Sequence, residues 1–177
     1  MKQIILIHGS PEPWEEMVTQ ESITPDWFRW LKETVPNVVI PPFPLETEVV
    51  YQNWSHIMDQ VPISTDTILV GHSCGGGFLF RYLSEHPELK PARAIFVAAW
   101  LDPHHELSTD FMKFQIDPAL SERTDVHVFI SMDDAPSLVD SYKIIKERLR
   151  GVRYYEFTDR EHFCGKREFP ELLDLLK

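Results

Sequence analysis

Short apolar runs bounded by turn residues alternate along the chain with longer stretches whose apolar residues recur every three or four positions. The first run, Ile4 to Ile7, is continuously apolar, the mark of a strand covered on both faces. It stops at His8-Gly9-Ser10. A helix is predicted from Pro25 to Val35, with Thr24 as its cap, Pro25 in its first turn and Trp27, Phe28, Trp30 and Leu31 on its apolar face. Pro36 ends it, and Val38 to Ile40 forms a second strand cut off by Pro41-Pro42. Glu48 to Gln60 reads as a helix with Val49, Val50, Ile57 and Val61 turned inward and Trp54 near the surface. Thr67 to Val70 is a third strand, and the helix behind it carries Phe78, Leu79, Tyr82 and Leu83 and ends near His86-Pro87. Ala94 to Ala98, Val126 to Ser131 and Val152 to Phe157 supply three further strands, with helices over Leu138 to Leu149 and Glu168 to Leu176. Between Trp100 and about Glu122 the periodicity is weak, as in a loop or a small helical cap. Strands alternating with helices at this spacing predict about six mostly parallel strands with helices on both faces, in a single domain over residues 1–177.

The junction of the third strand and its helix reads Gly71-His72-Ser73-Cys74-Gly75. A strand must become a helix within a few residues there and leave one hydroxyl proud of the sheet. Side chains at the two flanking positions would clash, which is why Gly71 and Gly75 stand there. With 7 glycines in 177 residues, composition alone would yield this pattern about 0.02 times, before strand and helix are required around it. Ser73 is therefore the candidate nucleophile, and the N–H of Cys74 the first candidate donor to an oxyanion. The thiol of Cys74 is read as a bystander.

A serine hydroxyl needs a base to take its proton, and the base needs an orienting acid. In a parallel α/β sheet both belong at the carboxyl ends of later strands. The fifth strand runs into Met132-Asp133-Asp134, and the sixth is followed by Asp159-Arg160-Glu161-His162-Phe163. His162 is the candidate base, with Asp133 or Asp134 as its partner. The second oxyanion donor is expected in the loop after the first strand, with Ser10 ahead of Gly9, and His8 braces that loop. Trp14 and Trp100, each placed just after a strand, are candidate walls of an acyl pocket, with Phe111 and Phe114 narrowing it.

Composition trims the alternatives. A net charge of −11 without a cluster of Lys or Arg argues against nucleic-acid and anionic-membrane partners and mildly against anionic substrates. Two cysteines make no disulfide framework, no run approaches the length of a membrane span, and the first residues do not read as a signal peptide. The expected setting is cytoplasmic. His104-His105-Glu106 is the nearest thing to a metal motif, but no second ligand pair supports it, and neither metal nor cofactor is expected.

These residues carry a resemblance. The first strand and its loop, Trp27 to Lys32, the Gly71–Gly75 elbow, Ser131-Met132-Asp133-Asp134 and His162-Phe163 are similar to the small serine hydrolases grouped with YdeN and retinoblastoma-binding protein nine. The resemblance implies a compact α/β-hydrolase fold with at most a small cap and a catalytic set of Ser73, Asp134 and His162. Asp134 is favoured over Asp133 because the family's acid stands just before a short turn with proline, here Ala135-Pro136. Local physics agrees, since Asp133 lies nearer the strand and can cap the turn by accepting N–H groups two or three residues ahead. Two departures are visible: Ser10-Pro11 replaces a second glycine or asparagine in the first loop, and Glu161 replaces the usual glycine before the histidine. The expected activity is hydrolysis of small neutral or apolar acyl esters, with thioesters and amides as neighbouring classes, through an acyl-enzyme and without a cofactor. The alternative is a hydrolase scaffold acting as a protein-interaction module with little turnover. Neither Cys74 nor Cys164 lies in the Leu-x-Cys-x-Glu motif that this alternative would favour.

Overall fold

The computed structural model describes residues 2–11, 19–46, 48–165 and 167–177. Six strands form one sheet: β1 (Ile4–Ile7), β2 (Val38–Val39), β3 (Ile68–His72), β4 (Arg93–Val97), β5 (Asp125–Ser131) and β6 (Arg153–Phe157). Their order is β2-β1-β3-β4-β5-β6, and every neighbouring pair is parallel. The described helices are α1 (Gln20–Ile23), α2 (Asp26–Thr34), α3 (Tyr51–Met58), α4 (Cys74–Glu85), α5 (Leu120–Arg123), α6 (Pro136–Arg148) and α7 (Pro170–Leu176). The apolar runs are central strands for the anticipated reason: β1 is buried along its whole length, as is β3.

The connections reverse direction once. From β1 the chain moves outward to β2, then passes back over β1 to β3 and continues through β4, β5 and β6. Right-handed crossovers then place α2 on one face and α3, α4 and α6 on the other. The aromatic contacts follow that division. Trp27 of α2 meets Phe169 at the start of α7 edge-on, with ring centres 5.7 Å apart, and Trp54 of α3 meets Phe78 of α4 at 5.4 Å. Loops leaving the carboxyl ends of β1 and β3 emerge side by side at this reversal, where α/β sheets place their ligands.

Three local expectations are corrected. Trp54 is not near the surface; it is 1% exposed, stacked on Phe43 at 4.7 Å and packed against Phe111. The segment after Pro41-Pro42 folds Phe43 back over α3, so the helix face assigned to water meets a second layer. Thr24 does not cap α2. Pro25 holds the N-cap position, with no side-chain cap bond. Phe111 is a core residue, 0% exposed between Tyr51, Trp54 and Phe78. The stretch from Leu101 to Ala119 contains turns and bends, and α5 is the short helix that follows it.

The elbow glycines interlock. A β-carbon on Gly71 would lie 2.7 Å from the carbonyl oxygen of Gly75, and one on Gly75 would lie 2.2 Å from that of His8. The first turn of α4 therefore rests directly on the backbone of the loop after β1. Gly75→Ala is expected to cost about 3 kcal/mol by forcing these two backbones apart, read as a lowered melting temperature; an unchanged Tm would contradict this packing.

Candidate active site

Ser73 sits between β3 and α4 with φ 55° and ψ −125°. A side chain rarely adopts this conformation, which costs on the order of 1–3 kcal/mol and persists only where the surroundings impose it. Here they do. The Ser73 N–H donates to Val97 at 3.0 Å, and its carbonyl accepts the N–H groups of Gly76 (2.9 Å), Gly77 (3.2 Å) and Trp100 (3.0 Å). The side chain is left half-buried rather than sealed in.

Register explains the first-loop residue beside it. Ile7 of β1 pairs with Gly71 of β3, so Gly9, two residues on, stands opposite Ser73. A β-carbon on Gly9 would lie 3.2 Å from the Ser73 β-carbon and 3.6 Å from its Oγ. Ser10 lies one position further along, half-buried. His8 is fully buried and approaches the Gly9 carbonyl through Nδ1 at 2.6 Å, which makes Nδ1 the protonated nitrogen and braces the loop. Burial lowers its pKa, with the bond to Gly9 opposing.

The other two candidates arise from β5 and β6, whose last paired residues are Ser131 and Phe157. Asp134 lies three residues past the first and His162 five past the second. Oδ2 of Asp134 is 2.9 Å from Nδ1 of His162; the carboxylate side chain is 4% exposed and the imidazole 33%. A carboxylate only accepts, so Nδ1 is the donor of this bond, and in the neutral ring that tautomer leaves Nε2 as the acceptor. The other oxygen of Asp134 accepts the Ala135 N–H at 2.7 Å. The His162 ring lies 4.8 Å, centre to centre, from that of His72, the residue preceding Ser73.

Asp133 also differs from expectation in detail. It does not cap its own turn. Its Oδ1 accepts the Ser131 hydroxyl and, at 3.1 Å, the N–H of Glu161, while the Ser131 oxygen accepts the N–H of Arg160 at 3.0 Å. Asp133 and Ser131 thus tie the end of β5 to the loop carrying His162. Glu161 and Phe163, on either side of His162, have φ of 46° and 59°, so Glu161 stands in the left-handed conformation that a glycine would take without strain.

Trp100 is tied to Ser73 through its backbone, as above, and is half-buried. Trp14 lies outside the described residues. Phe114 lines a crevice of about 960 Å³ between residues 101–118 and the end of α6; Ser73, Asp134 and His162 do not line it. Cys74 is buried and Cys164 exposed, and neither is in a disulfide. Among the described residues no group of three or more His, Cys, Asp or Glu is placed to hold a metal ion, and no helix is long and apolar enough to cross a membrane.

No protein-family model matches the chain, and no curated protein matches it in sequence. Solved structures do match. The ydeN gene product of B. subtilis superposes with a TM-score of 0.74 and 23% identity, over 99% of this chain and 97% of its own. The chain has the α/β-hydrolase fold. A lipase-esterase related protein from Clostridium acetobutylicum matches at TM-score 0.60 and 13% identity, over 92% of this chain and 87% of that one. A bromoperoxidase from Bacillus anthracis matches at 0.63 and 16%, over 99% and 91%. An α/β-hydrolase fold thus frames the site, while the chemistries named for these proteins differ, so function has to be argued from the residues.

Hydrogen bonding from Ser131 and Glu161 holds the Asp133 carboxyl below its ordinary value of 3.8, Ser131 contributing most. A lowered folded-state pKa stabilises at pH above the unfolded value and is lost as pH falls through the folded one. Asp133→Ala is therefore expected to lower Tm at neutral pH, and the gap to wild type to close as pH drops below 3.8. A Tm difference that stays constant down to acid would contradict this.

Proposed function

We propose that the protein is a serine hydrolase acting on small neutral or apolar acyl esters through an acyl-enzyme. The observation that carries this reading is the Asp134–His162 pair at 2.9 Å, formed by loops at the same sheet edge as a serine held at φ 55°. In the proposed reaction Nε2 of His162 takes the Ser73 proton as Oγ bonds to the acyl carbon. The oxyanion accepts from the N–H of Cys74 and from a second donor in the loop at Gly9 or Ser10. The tetrahedral intermediate collapses, the alcohol leaves with the proton from His162, and water, activated by the same imidazole, releases the acid. Asp134 fixes the tautomer and stabilises the imidazolium. Thioesters and amides would follow the same path with other leaving groups, and no step calls for a cofactor.

The expected size preference rests on residues 101–119, which form no multi-helix lid, with Trp100 near Ser73 as the retained candidate wall. We infer a small acyl substrate, and we keep the cytoplasm as its expected setting.

A fluorophosphonate probe is expected to label wild type at Ser73, and Ser73→Ala to lose p-nitrophenyl butanoate hydrolysis by more than about a thousandfold. Activity within tenfold of wild type would overturn the nucleophile assignment, and absent labelling would favour an interaction module with little turnover. Asp134→Asn is expected to lower kcat by about a thousandfold or more through the wrong histidine tautomer, with Tm little changed. A higher kcat/KM for the dodecanoyl than for the butanoyl ester would contradict the small-acyl assignment.

A further inference from the structure

His162 has a long way to reach. It follows β6, whereas Ser73 follows β3, three strand spacings or about 14 Å across the sheet. The loop must therefore fold back over the ends of β5 and β4, and something must hold it there. On one side its N–H groups are held by Ser131 and Asp133, as described. On the other side two donors from distant elements take successive carbonyls. Nε2 of His72 is 2.9 Å from the His162 carbonyl oxygen, and Nε1 of Trp27 donates to that of Phe163 at 3.1 Å.

A carbonyl only accepts, so His72 is protonated at Nε2 and its Nδ1 is bare. Nδ1 is buried and meets no hydrogen-bond partner among the described residues, and the ring as a whole is 2% exposed. Burial, reinforced by the neighbouring His162, holds the pKa of His72 down to about 3. The neutral ring is thus kept in the one tautomer that can serve as donor. Trp27 is equally committed: it is 1% exposed, wedged between Phe28 and Phe169, and stands edge-on to His72 at 6.0 Å. Two buried N–H groups whose partners are the carbonyls of His162 and Phe163 do more than fill the core.

We propose that His72 and Trp27 are positioning residues which, by clamping the carbonyls of His162 and Phe163, hold the His162 imidazole in register with Asp134 and Ser73. The proposal rests on the serine-hydrolase reading for its kinetic consequence, but the clamp itself concerns only the loop. If a misplacement of about 1 Å costs up to about a hundredfold in rate, loss of either donor should appear in kcat far more than in KM. The motif position before the nucleophile then has a specific chemical requirement here: an N–H at the site of Nε2.

The test uses three variants of the full chain. His72→Leu removes the donor while keeping an apolar side chain, His72→Gln restores an N–H near the place of Nε2, and Trp27→Phe removes the indole N–H while keeping an aromatic ring. Each is measured for butanoyl-ester kinetics, for fluorophosphonate labelling rate, and for the far-downfield proton signal of His162 Nδ1–H, assigned by its loss in Asp134→Asn. The expected result is a kcat lowered roughly tenfold to a hundredfold in His72→Leu and Trp27→Phe, with KM within about twofold, the downfield signal broadened or lost, and most of the loss recovered in His72→Gln. Equal losses in His72→Leu and His72→Gln, or a sharp downfield signal in His72→Leu and Trp27→Phe, would overturn the proposal. Should wild type neither label nor turn over esters, the serine-hydrolase reading fails alone, and the proton signal still decides whether the clamp orders His162. Should Trp27→Phe not fold, the His72 pair decides.

Discussion

The backbone of Ser73 is the constraint on which the rest of the site depends. Its left-handed conformation is opposed by its own side chain and is imposed by four backbone hydrogen bonds, one to β4, two from the first turn of α4 and one from Trp100. That turn lies against the carbonyls of Ile7 and His8, an approach that leaves no room for a β-carbon at Gly75. The same contact fixes the height of the loop after β1, and so brings Gly9 against Ser73. Ser73 and the loop are thereby set by one packing event between a helix and a strand end.

The sheet carries this arrangement outward. Ser73 N–H to Val97, Ala98 N–H to Phe129 and Met132 N–H to Phe157 continue the parallel ladder past the strand ends, from β3 to β6. Loops that leave such a tied edge start from fixed points, which is what allows Asp134 and His162, from different strands, to meet at 2.9 Å. Asp134 reaches the imidazole, while its neighbour Asp133 holds the backbone of the same loop. Adjacent carboxylates thus take separate tasks because consecutive side chains leave the chain in different directions.

Much of this was legible in the sequence, because it is written in local terms. Apolar runs of four or five residues located β1, β3 and β4; Gly71 and Gly75 marked a junction that only glycine permits; and the chain order of Ser73, Asp134 and His162 follows from which strands they succeed. Each of these depends on residues close to one another along the chain, or on the alternation of strands and helices. The distinction between Asp133 and Asp134 was also open to local reasoning, though the N–H that Asp133 accepts turned out to belong to another loop.

Only the tertiary structure could decide the rest, since it turns on which surfaces meet. Trp54 has a helical position compatible with solvent and is buried because Phe43 folds onto it. Phe111 was expected to narrow an acyl pocket, yet it fills the core between α3 and α4. The partners of His72 and Trp27 lie 90 and 136 residues away, and no periodicity along the chain encodes a hydrogen bond at that separation. The alternation of apolar runs with helical stretches determined the sheet and the elbow; the side-chain donors that meet the histidine loop, Trp27 on α2 and His72 at the end of β3, were decided only where that loop comes to rest across the sheet.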